Sequence, residues 1–279
     1  MKKRYIFILA TMMFVSFSSV DAVKSTHLVI LHTNDTHSQV DPIESNAINY
    51  PGQGGYARRM GLIDKIRKEE KNVLLFDAGD FSQGTPYFNF YNGRVEIDAM
   101  NRMKYDAGTL GNHEFDNGVD TLAVILRKTT FPIVCSNYNV DGTPLKDILK
   151  PYYIIKVDNI RIGIMALGVD PNGLVIKRNF EGVIYEDPVK KAREMSKFLH
   201  SKMKCDVVIC LSHLGTNKKS EMNDYVIAQN TSYINVIISA HSHELKNDTV
   251  ENRDGRKIII AQEAKSGAYL GRVDLTIEK

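Results

Sequence analysis

The feature that most restricts this chain is a set of apolar runs that each end in a polar cluster. HLVILHT (27–33) leads into NDTH, NVLLFDA (72–78) into Gly79-Asp80, AGTL (107–110) into GNHEFD, DVVICLS (206–212) into His213, and NVIISA (235–240) into HSH. The runs are too short for helices and rich in Val, Ile and Leu, as expected of strands covered on both faces. Helical patterns lie between them. YARRMGLIDKIRKEEK (56–71) places Met60, Ile63 and Ile66 at helical spacing opposite a charged face. VEIDAMNRMKY and VDTLAVILRKT read as amphipathic helices, and DPVKKAREMSKFLHSKMK opens with Asp187 as a cap and Pro188 at the first helical position. A short helix is expected over 221–230. FPIVCSN and RKIIIAQE read as further strands, YYIIKVDNIRIGIMAL (152–167) as a hairpin through Asp158-Asn159, and GAYLGRVDLTIEK as a closing alternating strand. Strand–helix units that give way to hairpins imply an α/β chain with two stacked sheets and helices outside. The loop around 168–187 is the one candidate boundary, but the polar clusters on its two sides are alike in character, so a single domain is expected.

The first residues differ in character from the rest of the chain. Lys2, Lys3 and Arg4 precede the apolar run IFILATMMFVSF, which is short for a membrane span, and Val20 and Ala22 are small residues where a signal peptidase cuts. Residues 1–22 are therefore expected to be a signal peptide, with 23–279 an exported, periplasmic or extracellular chain. The leader carries three of the basic residues against Asp21, so the formal charge of +3 falls to about +1 after cleavage. That is no electrostatic footprint for nucleic acid. Three cysteines, Cys135, Cys205 and Cys210, cannot all pair within one chain, and Cys205 and Cys210 flank a strand that holds them apart. Buried thiols are expected. Asn34, Asn230 and Asn247 match the glycosylation pattern, and the bacterial look of the leader makes these matches fortuitous.

Ligands of α/β sheets bind at the carboxyl ends of strands. The five clusters gather there two carboxylates (Asp35, Asp80), one carboxamide (Asn112) and four imidazoles (His37, His213, His241, His243), with no thiolate. Nitrogen and oxygen donors of this kind suit Zn, Mn, Fe or Co rather than Ca. Seven donors are too many for one tetrahedral ion and suit two ions that share a carboxylate. Each element alone is common by chance; their recurrence in order is what points to a centre.

The order DxH, GD, GNHE, H, HxH resembles the calcineurin-like metallophosphoesterases. The stretches LHTNDTHS, GGYARRMGLIDKIR, LLFDAGDFSQGTP and GTLGNHEFDNG resemble the catalytic domain of bacterial 5′-nucleotidases and UDP-sugar hydrolases. The resemblance implies a four-layer αββα sandwich of two mixed sheets around a dinuclear site. It implies one ion on Asp35, His37 and His243, a second on Asn112, His213 and His241, and Asp80 between them. His113 would be the catalytic imidazole outside the metal shell, oriented by Asp116. The implied reaction is hydrolysis of phosphate esters of nucleotides by a metal-bridging hydroxide. The alternatives are a phosphodiesterase or nucleotide-sugar hydrolase, the catalytic subunit of a split nucleotidase, and an inactive metal- or phosphate-binding relative.

Magnitudes agree with that division of labour. One Zn moves a bound water's pKa from about 15.7 to about 7, on the order of 12 kcal/mol at about 1.36 kcal/mol per unit. Hydrolysis of a phosphate monoester calls for more than about 20 kcal/mol, so charge neutralisation and leaving-group stabilisation must supply the rest. The family's nucleotidases carry a C-terminal domain that recognises the base, and this sequence closes at Lys279. Three readings follow: a separate nucleotidase C-terminal-domain chain that docks as a partner, a stand-alone phosphatase of loose specificity, or cleavage of something else, such as a phosphodiester or a nucleotide sugar. Of the remaining polar residues, Glu114 is expected at the surface or capping a helix, and Asp77 as a strand-end hydrogen-bonding group. His27, His32 and His200 are expected to be structural or solvated, and Arg58 and Arg59 to lie on a helix surface.

Overall fold

The computed structural model describes residues 25–278, so the expected leader lies outside the described residues. The strands are β1 (Ser25–Thr33), β2 (Val73–Asp77), β3 (Ala107–Gly108), β4 (Ile133–Val134), β5 (Tyr138–Asn139), β6 (Leu149–Lys150) and β7 (Tyr153–Val157). They continue with β8 (Ile160–Leu167), β9 (Ile184–Tyr185), β10 (Val207–Ser212), β11 (Val236–Ile238), β12 (Leu245–Glu251), β13 (Lys257–Glu263) and β14 (Gly271–Glu278). The helices are α1 (Tyr56–Glu69), α2 (Pro86–Tyr91), α3 (Arg94–Met103), α4 (Gly118–Leu126), α5 (Pro188–Lys197) and α6 (Asp224–Asn230).

Two mixed six-stranded sheets result, in the orders β14-β1-β2-β3-β4-β6 and β12-β13-β11-β10-β8-β7. The central strands of each are parallel, and antiparallel strands close the edges: β14 on β1, β12 on β13 and β7 on β8. Side chains alternate between faces, and this sorts the core into layers. Leu28 and Ile30 of β1 and Leu74 and Phe76 of β2 pack with Ile162, Ile164, Ile209 and Ile238 of the other sheet. Val29, Leu31 and Leu75 point the other way, onto Ile63 of α1, Ile97 and Met100 of α3 and Leu122 of α4. Met165, Val208, Cys210 and Ile260 meet Ala192 of α5 and Ile227 of α6. The molecule is thus helices, sheet, sheet, helices, as the resemblance implies.

Local signals explain the helix boundaries. Asp187 accepts the N–H groups of Val189 (2.8 Å) and Lys190 (3.0 Å) with Pro188 at the first helical position, and Asn223 caps α6 in the same way. All three cysteines are buried and unbridged. No described helix is long and apolar enough to cross a membrane.

Three expectations need correction. Arg59 is buried, its guanidinium 5.0 Å from the Tyr56 ring centre, whereas Arg58 is exposed and bonds the Gly52 carbonyl. Arg59 shares the inner face of α1 with Tyr56 and Ile63, and that spacing outweighs its charge. Glu114 is buried rather than at the surface. Strand β12 and helix α2 lie where the sequence pattern predicts no element. The former is a half-exposed edge strand with mixed polarity, and the latter is only six residues long.

Candidate active site

The five strands that end in polar clusters bring those ends together. β1, β2 and β3 are neighbours in one sheet, with Thr33, Asp77 and Gly108 in register. β10 and β11 are neighbours in the other, with Leu211 opposite Ile238. The loops beyond them face one another across the sandwich. His213 Nδ1 hydrogen-bonds the Ala78 carbonyl at 2.8 Å, which joins the two sheets and turns Nε2 inward. Asn34 makes a second bridge, donating to the Ala264 carbonyl (2.9 Å) and accepting the Glu263 N–H (2.8 Å). It is buried, so its glycosylation pattern is fortuitous.

Two clusters form. Asp35, His37 and His243 each offer a donor atom within 4.8 Å of the others, and so do Asp80, His213 and His241. The second cluster touches the first, because His213 Nε2 is 3.0 Å from Asp80 Oδ2 and 3.9 Å from Asp35 Oδ1. Asp35, Asp80 and His213 are buried, while His37, His241 and His243 are half-buried and form the open side. Asn112 is buried with no hydrogen-bond partner for its Oδ1, and His213 Nε2 likewise makes no well-directed bond.

The backbone here departs from ordinary strand ends. Asp35, His37, Asp80, His241 and His243 all have positive φ, between 46° and 68°. Each such residue costs on the order of 1 kcal/mol, so five approach the net stability of a domain. They persist because the surroundings over-determine them. Asp35 N–H donates to the Gly79 carbonyl (2.9 Å), His37 N–H to Asp80 (3.0 Å) and Ser38 N–H to Phe81 (2.9 Å), extending the β1–β2 ladder through the turn. The Asp35 carboxylate also accepts the His241 N–H at 3.0 Å.

Charges are strongly coupled. Burial acts on His213 first and would lower it, but the Asp80 carboxylate prevails and pushes the imidazole up to about 10. Burial likewise works against ionised Asp80, yet His213 and His37 hold its carboxyl far below the usual range. His241 is pushed down to about 4, by burial and then by His213. Burial lowers His37 as well. The Nε2 atoms of His37 and His243 face each other at 3.0 Å. Converging imidazoles, two carboxylates and an orphaned carboxamide oxygen form a donor set suited to cations of intermediate softness. The residues therefore fit a pair of divalent metal ions.

His113 stands outside both clusters. Its N–H donates to Asp80 Oδ1 (2.9 Å), its ring lies edge-on to His37 with centres 5.5 Å apart, and its Nδ1 is 2.8 Å from Asp116 Oδ2. That hydrogen bond raises its pKa against the effect of burial. Asn179 donates to the Asp116 carbonyl at 2.7 Å, which fixes the loop from a distant segment. Asp77 is the strand-end residue expected: its carboxylate accepts from Thr33 Oγ1 (2.6 Å) and Gly79 N–H (2.9 Å), and burial pushes it up to about 7. His27 is exposed against Asp274, and His200 stacks on Tyr233. A cavity of about 550 Å³ opens beside His241, lined also by Asn217, Lys219, Ser220, Ser242 and Glu244.

Two contributors escape sequence reasoning. Gly111 admits no side chain, since a Cβ there would sit 2.2 Å from Asp80 Oδ1 and 2.5 Å from the His213 ring. Glu114 accepts three backbone N–H groups from the site's loops, from Gly111, Asp80 and Ser82. Burial and Asp80 push its carboxyl up to about 8.

Comparison with known proteins follows the same lines. Residues 28–245 match the calcineurin-like phosphoesterase family. The chain is 32% identical to a snake venom 5′-nucleotidase of Naja atra, over 91% of this chain and 51% of that protein. Among solved structures it is similar to a 5′-nucleotidase precursor from Thermus thermophilus, with a TM-score of 0.79, 30% identity and coverage of 91% and 55% of the two chains. It is also similar to the calcineurin-like phosphoesterase YfkN from Bacillus subtilis, with a TM-score of 0.73, 30% identity and coverage of 92% and 86%. The chain spans about half the length of the curated nucleotidases it matches. With its two sheets, its strand-end donors and this match, the chain belongs to the calcineurin-like phosphoesterase family.

Proposed function

We propose that this chain is an exported phosphohydrolase that cleaves phosphate monoesters of nucleotides. The observation that carries the reading is the pair of abutting donor clusters, Asp35/His37/His243 and Asp80/His213/His241, together with the orphaned Oδ1 of buried Asn112, whose neighbour His113 donates its N–H to Asp80 Oδ1. These seven residues would hold two divalent ions, Zn, Mn, Fe or Co, with Asp80 shared. Such ions supply Lewis-acid polarisation of the phosphoryl group and a water of lowered pKa.

The chain's own residues do the rest. Asp35 and Asp80 contribute two negative charges among the seven donors, and Asn112 adds an oxygen without a third. The donor set is therefore poorer in charge than the two cations it would hold, which favours a phosphate dianion over a neutral substrate. Asp116 accepts from His113 Nδ1–H, so a proton at Nε2 requires the imidazolium, which that hydrogen bond favours by raising the pKa; in this form Nε2 donates to the departing oxygen. The half-exposed rings of His37, His241 and His243 form the mouth through which substrate reaches the buried donors. Recognition of the base belongs, in this proposal, to residues outside the matched region, in cis or on a separate chain. The share of the nucleotidases' length that the match leaves uncovered supports that view. Residues 1–22 are proposed to direct export, with cleavage after Ala22.

The test is a substrate panel on metal-reconstituted residues 23–279: AMP, UDP-glucose, a cyclic nucleotide and p-nitrophenyl phosphate. Metal-dependent release of phosphate from AMP and p-nitrophenyl phosphate is expected, abolished in Asp80→Asn. Turnover of none of them with any of the four metals overturns the reading. Faster cleavage of UDP-glucose or the cyclic nucleotide moves it to diesters.

A further inference from the structure

We infer that Glu114 is a positioning residue that sets the two ligand loops before any metal arrives. The inference rests on the reading of Asp80 and Asn112 as metal ligands. Glu114 Oε2 accepts the N–H of Gly111 at 2.6 Å and the N–H of Asp80 at 2.9 Å, and Oε1 accepts the N–H of Ser82 at 3.0 Å. Its side chain is buried. Three donors converge on one carboxylate and no competing acceptor is needed, so the group is spent on backbone rather than on substrate.

Where those donors lie gives the residue its role. Asp80 and Ser82 belong to the turn after β2, and Gly111 to the turn after β3, which carries Asn112. The β2 turn in turn receives the β1 loop, since His37 N–H donates to the Asp80 carbonyl and His37 Nδ1 faces the Ser82 carbonyl at 3.4 Å. Glu114 thus fastens two ligand loops directly and a third through it. It also sits next to His113, whose N–H is held by Asp80 Oδ1. Asp80 has φ of 53°, and an N–H bound to a buried carboxylate is one of the contacts that keeps it there. Metal sites whose supporting hydrogen bonds are removed lose about 10–100-fold in affinity.

The experiment has two arms. In the first, Mn binding to the purified protein and to Glu114→Gln is measured by calorimetry, with thermal midpoints taken with and without Mn. Glu114→Gln keeps the volume but turns an N–H2 toward N–H donors. The expected result is a Kd for Mn raised about 10–100-fold, partly restored in Glu114→Asp. A role in folding alone would lower the metal-free midpoint and leave that Kd as in the wild type, and this outcome overturns the inference. In the second arm, hydrogen exchange of the wild-type protein stripped with EDTA is followed at Asp80, Ser82 and Gly111. Slow exchange at all three, little changed by Mn, is expected of loops already fastened. Exchange at the rate of open loops until Mn is added overturns the inference even if the variants fail to fold. A wild-type protein that binds no Mn would instead remove the metal reading, and the exchange arm would still judge the clamp.

Discussion

Asp116 Oδ2 lies 2.8 Å from His113 Nδ1, three residues away on the same turn, and leaves the imidazole's Nε2 as the atom free to meet a leaving group. If His113 delivers a proton, its value depends on how poor the leaving group is. Asp116→Asn should lower kcat for AMP by about 10–100-fold, and His113→Ala by about 100-fold or more, within the range for general acids. KM should change little. Both losses should shrink for p-nitrophenyl phosphate, whose phenolate departs without a proton. Paired kcat measurements on the two substrates check this, and equal losses on both would remove the proton-donor role.

Gly111 has an ordinary backbone conformation, so its lack of a side chain answers to space alone. A methyl group there would collide with Asp80 Oδ1 and the His213 ring, both fixed by burial on every side. Gly111→Ala should therefore reduce bound metal below half of the wild-type amount while secondary structure by circular dichroism is retained. Elemental analysis of the dialysed variant is the measurement. Retention of two ions per chain would show that the loop yields more readily than its packing implies.

Much of this centre is legible along the chain, and the residues show why. Asp35, Asp80, Asn112, His213 and His241 each come at or just after the end of a largely apolar run, and such a run is a buried strand with its carboxyl end at the cleft. Glu114 is not legible in this way, because its partners are backbone N–H groups 34, 32 and 3 residues upstream, and a backbone amide has no letter of its own. The positive φ of five candidate ligand residues is hidden for a similar reason: Asp and His visit that region now and then, and tertiary contacts decide at which positions. Arg59 is legible from its spacing with Tyr56 and Ile63, although its charge argues for the surface. β3 and β4 pair over only two residues each, shorter than the apolar runs that contain them, since pairing depends on neighbours. β12 carries LKNDTVE, whose half-exposed face gives no apolar period to read.

Lys219 is the one lysine on the wall of the cavity beside His241. The neighbouring carboxylate, Glu244, is already engaged by Thr216 Oγ1 at 2.6 Å and lies 3.6 Å from Lys246. Lys219 Nζ has no ion-pair partner among the described residues, so a substrate with a second phosphate would find a cation there. Lys219→Ala should raise KM for ADP about 5-fold, the worth of about 1 kcal/mol for a solvent-screened charge pair. It should leave p-nitrophenyl phosphate within about 2-fold. Steady-state kinetics on the two substrates decide it, and a uniform effect would place the cavity outside the substrate's path.

His32 supplies a dependence of stability on pH that is separate from the candidate metal centre. It lies inside β1, fully buried, with neither ring nitrogen hydrogen-bonded, packed against Gly271 with the Glu263 carboxylate 4.0 Å away. Burial pushes it down to about 4 from an ordinary 6.5, so the unfolded chain takes up a proton that the folded chain refuses. Its contribution is complete above pH 6.5 and is lost as pH falls from there to about 4, at about 1.36 kcal/mol per unit, or roughly 3 kcal/mol in all. Glu263, pushed up to about 7 by burial, acts in the opposite sense over an overlapping range, because its proton is bound more tightly in the folded state. The pair therefore partly cancels in the wild type, and the two effects separate by substitution. His32→Leu should flatten or reverse the acid-side loss between about pH 6.5 and 4.5, and Glu263→Gln should steepen it. Urea unfolding of metal-free protein across that range gives the slopes. Equal slopes in wild type and His32→Leu would mean that the imidazole accepts its proton inside the fold as readily as outside it.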